Sequence, residues 1–168
     1  MVERFEKLTI GIAQIYKSIQ RVKKYQMHKL GLKGTHVMCI YYLSNHPGGL
    51  TAADLCEICK EDKAGISRIL SELEHGGFIR YESANDKKYR AKAVLTSKGL
   101  SCANAVNCMI LRSTKKGGAG ITEEEREVFY RVLLLISDNL NQLCAELENG
   151  ELPALPPSPH NAKGAQDE

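Results

Sequence analysis

Phe5, Leu8, Ile12, Ile15, Ile19 and Val22 recur at three- and four-residue steps along a stretch without proline. That period places them on one face of a helix running from Val2 to about Leu30. A helix of this length cannot bury an apolar stripe against itself. It demands other helices, from this chain or from a second copy. The chain supplies one at its far end, where Val128, Val132, Leu135, Ile136, Leu140, Leu143 and Leu147 repeat the pattern behind Thr122 and Glu125, a capping box.

Between these lies a denser succession of short elements. After a break at Gly31–Gly34, Thr35 to Asn45 reads as an apolar-rich helix closed by the turn Asn45-His-Pro-Gly-Gly. Thr51, with Asp54 reaching back to it, opens a short helix carrying Leu55, Ile58 and Cys59 inward and ending near Lys60. Asp62 caps the next helix, whose Ile66, Ile69, Leu70 and Leu73 form one apolar face. Ala64, Ser67, Arg68 and Ser71 fall on the opposite side, and His75-Gly-Gly ends the helix with a left-handed glycine. Phe78–Ser83 and Lys92–Leu95 are short enough for strands, and the polar segment between them makes the pair a hairpin. Thr96 caps a helix through about Thr114, and Lys115-Lys-Gly-Gly-Ala-Gly is a flexible joint. Beyond Asn149 the segment holding four of the five prolines reads as disordered.

The fold class expected is therefore mainly α with a small β-hairpin wing (α+β), a winged helix-turn-helix with long N- and C-terminal dimerisation helices. The organisation expected is an N-terminal dimerisation helix in 1–34, a winged DNA-binding region in 35–96, C-terminal dimerisation helices in 97–148, and a tail in 149–168. Geometry supplies the reason. Packing the helix around Ile66 through Leu73 turns its small residues and Arg68 outward, where they suit the floor of a major groove, while Lys63 at its N-terminus suits a phosphate. The hairpin tip from Asp86 to Lys92 sets Lys87, Lys88, Arg90 and Lys92 against one acid, a concentration of cations that suits a nucleic-acid backbone.

Charge and composition agree with this reading without carrying it. No acid occurs between Lys7 and Ala53, and the net charge of the chain is +3. An apolar share of 43% and a charged share of 26% over 168 residues exclude a disordered chain, a collagen and a coiled-coil rod. The longest apolar runs, such as Val132–Ile136, fall far short of the roughly 18 residues that cross a bilayer. No signal peptide is visible in MVERFEKLTIG, so a cytoplasmic protein without a membrane partner is expected. No Gly-rich phosphate loop, G-x-S-x-G or H-E-x-x-H occurs, and an enzyme and a bound cofactor are not expected.

The ordered set of motifs resembles the multiple-antibiotic-resistance regulator (MarR) family of bacterial winged-helix repressors. The likeness rests on Leu50-Thr51-Ala-Ala-Asp-Leu55, on Asp62-Lys-Ala-Gly-Ile-Ser-Arg-Ile-Leu-Ser-Glu-Leu-Glu, on Gly77-Phe-Ile-Arg, on Asp86-Lys-Lys, and on Val94-Leu-Thr-Ser-Lys-Gly99. With the flanking long helices it covers residues 2 to about 148. The resemblance implies a homodimeric transcription regulator, a repressor binding a near-palindromic double-stranded operator with half-sites about one helical turn apart. It implies DNA contacts from Lys63, Ala64, Ser67, Arg68 and Ser71, phosphate contacts from Lys87, Lys88, Arg90 and Lys92, and a wing shaped by Asp86. Lys88 stands where the family commonly has Arg and cannot make a bidentate fork, which leaves Arg90 for minor-groove reading. The resemblance also implies a pocket for a small aromatic or other small effector, for which Tyr16, Tyr25, His28, Tyr41 and Tyr42 are candidates.

Cys56-Glu-Ile-Cys59 is a C-x-x-C pair without the two further ligands a zinc site needs. Buried structural thiols are the first reading. A redox or metal-responsive sensor switched through Cys56 and Cys59 is the alternative, as is a winged-helix protein–protein adaptor that does not bind DNA.

Overall fold

The computed structural model describes residues 2–82 and 91–150. In chain order these form α1 (Val2–His28), α2 (His36–Asn45), α3 (Ala52–Cys59), α4 (Lys63–His75), β1 (Ile79–Glu82), β2 (Lys92–Leu95), α5 (Ser97–Gly117) and α6 (Glu123–Glu148). The expected mainly helical fold with a two-stranded wing is what is found, and element ends lie within a few residues of those read from the sequence.

The caps are built as the residue types dictate. The Thr51 hydroxyl accepts from the Asp54 N–H at 3.2 Å, and the Thr51 N–H donates back to Asp54 Oδ2 at 2.8 Å. Asp62 accepts from the Gly65 N–H at 2.6 Å and so starts α4. At the other end of α4, the Phe78 N–H reaches the Leu73 carbonyl and the Gly77 N–H reaches that of Glu74, both at 2.9 Å. This is a Schellman closure, with Gly77 at φ +72° as its left-handed residue and Phe78 folded back toward the buried Leu73.

The described residues divide into two units, one up to Gly117 and one from Gly118. The core of the first is one cluster. Val37, Ile40 and Leu43 of α2, Leu55 of α3, the four apolar residues of α4, Phe78, Ile79, Ala93 and Leu95 of the hairpin, and Cys102, Ala103 and Val106 of α5 meet in it, joined by Met27 and Leu32. The start of α5 is thus part of the winged fold. Gly99 shows how tightly it docks, since a Cβ there would stand 2.0 Å from the Phe78 carbonyl oxygen.

β1 and β2 pair antiparallel in the register Ile79↔Leu95, Arg80↔Val94, Tyr81↔Ala93 and Glu82↔Lys92. Leu50, just ahead of α3, adds a bridge on the far edge of β2, exchanging hydrogen bonds with Ala93 at 3.1 and 2.8 Å. The wing is therefore anchored to the turn that opens the helix pair. In the second unit, the Thr122–Glu125 capping box starts α6 as expected. No residue of α6 is buried within the chain. Among the described residues no helix is long and apolar enough to cross a membrane.

Candidate nucleic-acid interface

The surface in question is set by the roll of α4 about its own axis. Ile66 and Leu73 are fully buried, and Ile69 and Leu70 nearly so. At 100° per residue this commits the other side outward, and Lys63, Ala64, Ser67, Arg68 and Ser71 are all exposed. Arg68 enters no salt bridge among the described residues. The face thus offers small side chains, two hydroxyls and a guanidinium fork whose donors are available to an external acceptor. Lys63 stands in the first turn of α4, where the unpaired N–H groups and the helix dipole favour an anion.

Of the cations expected on the wing, Lys92 lies on β2, exposed and opposite Glu82. Arg80 on the neighbouring strand is exposed and pairs with Glu82. Asp86, Lys87, Lys88 and Arg90 lie outside the described residues.

A polar clamp that local spacing did not signal fixes the roll of α4. Glu72 follows Ser71 and points the other way, toward the start of α2. Its Oε1 accepts from Lys33 Nζ at 2.5 Å, and its Oε2 lies 2.8 Å from His36 Nε2. The Lys33 backbone N–H occupies His36 Nδ1 at 3.4 Å, which leaves Nε2 as the donor to Glu72. Among the described residues His36 is the buried polar side chain, and the clamp satisfies both its ring nitrogens. The Lys33 ammonium, and then the His36 ring, hold the Glu72 carboxyl below its ordinary value.

The effector candidates separate in space. Tyr16 lines a cavity of about 140 Å³ together with Gln20 and Lys23 of α1, Met38 and Cys39 of α2, Cys59 of α3, and Ile66 and Ile69 of α4. Tyr25 is exposed, with Lys29 Nζ 4.7 Å from its ring centre, and His28 is exposed. Tyr41 and Tyr42 are half-buried and meet edge to face at 5.3 Å. Tyr16 is thus the candidate that borders this cavity. Gln20 and Lys23, one turn and two turns further along α1, are the partners that sequence reasoning missed.

The cysteines are free thiols. Cys56 and Cys59 are both half-buried on α3, and Cys59 lines the cavity together with Cys39 of α2. Among the described residues no group of three or more metal-ligating side chains occurs.

Comparison with known proteins agrees with this architecture. Residues 30–88 match the model of the MarR family. A search of the curated proteins finds no match to this sequence. Among solved structures, a Listeria monocytogenes chain described as a MarR family transcriptional regulator, complexed with 26mer DNA, is 19% identical, with a TM-score of 0.73 over 88% of this chain and 97% of that one. The S. aureus MepR–DNA complex is also 19% identical, with a TM-score of 0.72 over 79% of this chain and 95% of that one. A MarR protein from Peptoclostridium difficile is 17% identical, with a TM-score of 0.73 over 84% and 92%. At such identities the likeness to these structures is one of fold. Residues 30–88 are thus similar to the MarR family, and the chain shares the fold of these structures.

Proposed function

We propose that this protein is a MarR-type transcription regulator that binds double-stranded DNA as a homodimer and acts as a repressor released by a small molecule. The observation that carries the reading is the two-faced α4, with four apolar residues sealed in the core and Lys63, Ala64, Ser67, Arg68 and Ser71 presented outward. The helix enters the major groove, Ser67 and Arg68 meet base edges, and Lys63 meets a phosphate. Lys92, with Lys87, Lys88 and Arg90 of the wing, neutralises the flanking backbone, and Asp86 shapes the tip. The DNA in the Listeria and S. aureus complexes supports the choice of partner.

The unburied stripes of α1 and α6 support the dimer. Phe5, Ile15, Val128 and Leu135 are each about half exposed or more in the single chain, and a second copy is the occupant that a paired reader of a two-fold site requires. In this arrangement residues 1–34 and 97–148 hold the two chains together, and 35–96 reads the operator. The cavity beside Tyr16, wedged against Ile66 and Ile69, supports release by a small aromatic or other small molecule, since filling it presses on the buried face of α4.

Selection of bound duplexes from random DNA tests the reading. Near-palindromic sites with half-sites about one helical turn apart are expected. Affinity should fall roughly 10³–10⁵-fold between about 50 and 200 mM salt for about 6–10 phosphate contacts. Arg68→Ala should lose about 1–3 kcal/mol of discrimination at its base pair while the dimer and its melting profile persist. A salt-independent or absent shift would favour the protein–protein adaptor instead.

A further inference from the structure

α1 has three faces, and the third is cationic. Met27 is fully buried in the core, and Gln20 and Lys23 line the cavity beside α4, so this side docks on the winged fold. A second side is the open apolar stripe from Phe5 to Val22. At 100° per residue Lys17, Arg21, Lys24 and His28 fall within about 60° of arc, centred about half a turn from that stripe. All four are exposed, and among the described residues none of them enters a salt bridge. We propose that this row is a second nucleic-acid surface, which takes the phosphate backbone of a DNA duplex other than the operator.

The first two turns of the same helix show what a merely solvated face looks like. Arg4 and Lys7 alternate there with Glu3 and Glu6, and Lys7 Nζ meets Glu3 Oε1 at 2.7 Å. α1 has no acid beyond Glu6. From Lys17 onward like charges stand three and four residues apart, a spacing that weakens a helix. An external row of anions removes that repulsion.

The geometry points to a duplex backbone. The row from Lys17 to His28 spans about 16 Å of helix axis. One strand of a duplex presents a phosphate about every 3.4 Å along its axis, so roughly four or five lie within that span. An unpaired strand is held by aromatic rings on which its bases stack. Tyr25 is the ring beside the row, and Lys29 Nζ stands over it at 4.7 Å from its centre, so that face is taken. A membrane surface takes up apolar side chains together with cations, whereas here the apolar stripe lies on the other side of the helix.

The operator belongs to another side of the molecule. α4 turns Ile66 and Ile69 toward the cavity beside α1 and leaves Ser67 and Arg68 exposed on its opposite side. A duplex read by α4 therefore has α4 between it and α1, and the cationic row meets a second one. The protein then draws two stretches of DNA together. This bridging rests on the DNA-binding reading above; the affinity of the row for a duplex does not.

The test compares the full chain with a triple variant, Lys17→Gln, Arg21→Gln and Lys24→Gln, and with a control, Arg4→Gln, Lys7→Gln and Lys116→Gln, that removes the same charge elsewhere. All six positions are exposed, so helical signal and melting midpoint should be kept in both. Immobilised operator duplex from the selection is saturated with protein, and a labelled duplex of unrelated sequence is added at about 50 mM salt. The wild type and the control should retain the second duplex, and the triple variant should retain at least about tenfold less, with operator Kd unchanged. The plot of log affinity against log salt for the second duplex should be shallower by about 2–3 in the triple variant.

No retention by the wild type, equal retention by the triple variant, or an equal loss in the control would overturn the proposal. So would tighter capture of single-stranded RNA or of vesicles of anionic lipid at equal phosphate concentration. A wild type that binds no selected duplex would count against the reading of α4. The claim for the row is then decided by titrating the unrelated duplex directly. A Kd at least about tenfold weaker in the triple variant supports it, and an equal Kd overturns it.

Discussion

α4 and α1 are both amphipathic helices, and their apolar residues recur with the same spacing, yet their fates differ. In α4 the stripe is sealed, with Ile66 and Leu73 fully buried and Arg68 and Ser67 outside. In α1 the stripe is open over most of its length, with Phe5 69% and Ile15 52% exposed. α6 shares that condition, with no buried residue in the single chain. Periodicity states that a face will be covered. It does not state by what, and the middle of the chain and its two long outer helices divide on that point. The short helices find cover within their own chain, whereas the stripes of α1 and α6 stay open in the single chain, where the proposed second copy would pack.

The comparison breaks most sharply at Leu73. Leu73→Ala removes a fully buried side chain beneath the Schellman closure and should cost about 2–5 kcal/mol, read as a lowered denaturation midpoint of the winged unit. An equal truncation at Phe5 should leave that midpoint in place. Equal losses at both sites would show α1 to be as fully packed within one chain as α4.

Ile15→Asp attacks the other side of the comparison. A charge set into an apolar dimer seam should weaken self-association by about 3 kcal/mol, or roughly 10²-fold, while the helical signal of the winged unit persists. Sedimentation at micromolar protein reads the outcome. A dimer as tight as the wild type would remove α1 from the interface.

Much of this was legible because it is local. Both capping boxes, the buried set of α4 and the hairpin follow from residues a few positions apart, where backbone geometry alone decides what meets what. What stayed hidden lies across longer separations. The Leu50 bridge to Ala93 is one residue with no periodicity of its own. Glu72 and His36 are 36 positions apart, and nothing in the spacing of either announces the other. The C-x-x-C spacing drew attention to Cys56 and Cys59 as a pair, yet Cys59 lines a cavity with Cys39 of α2, and Cys56 does not. The wing tip, with Asp86, Lys87, Lys88 and Arg90, lies outside the described residues, so that part of the site stands on sequence alone.

A milder effect is expected at Lys60, the joint between the helices of the pair. Its left-handed backbone costs a residue with a Cβ about 1 kcal/mol that glycine avoids. Lys60→Gly should therefore raise the denaturation midpoint slightly, by up to about 1 kcal/mol. A loss of stability would show that the Lys60 side chain contributes more than its backbone costs.

The smallest effect concerns the clamp that sets the roll of α4, because Glu72 is partly exposed and solvent screens its pairing with Lys33. The sign still follows from the direction of the shift. Glu72 is held below its ordinary value of 4.5, so over the interval between the two values the unfolded chain binds more protons than the folded one. Its contribution is complete above the ordinary value and disappears as pH falls through the lowered, folded one. Glu72→Gln keeps the shape and loses the charge, so the gap in midpoint between wild type and variant should be open at neutral pH and close on acidification. Added salt should narrow the part due to the exposed Lys33 and spare more of the part due to buried His36. A gap that stays constant across the acid range would mean that shape, not the carboxylate, holds α4 in its roll, and that the outward face of Ser67 and Arg68 is fixed by the apolar residues beneath it alone.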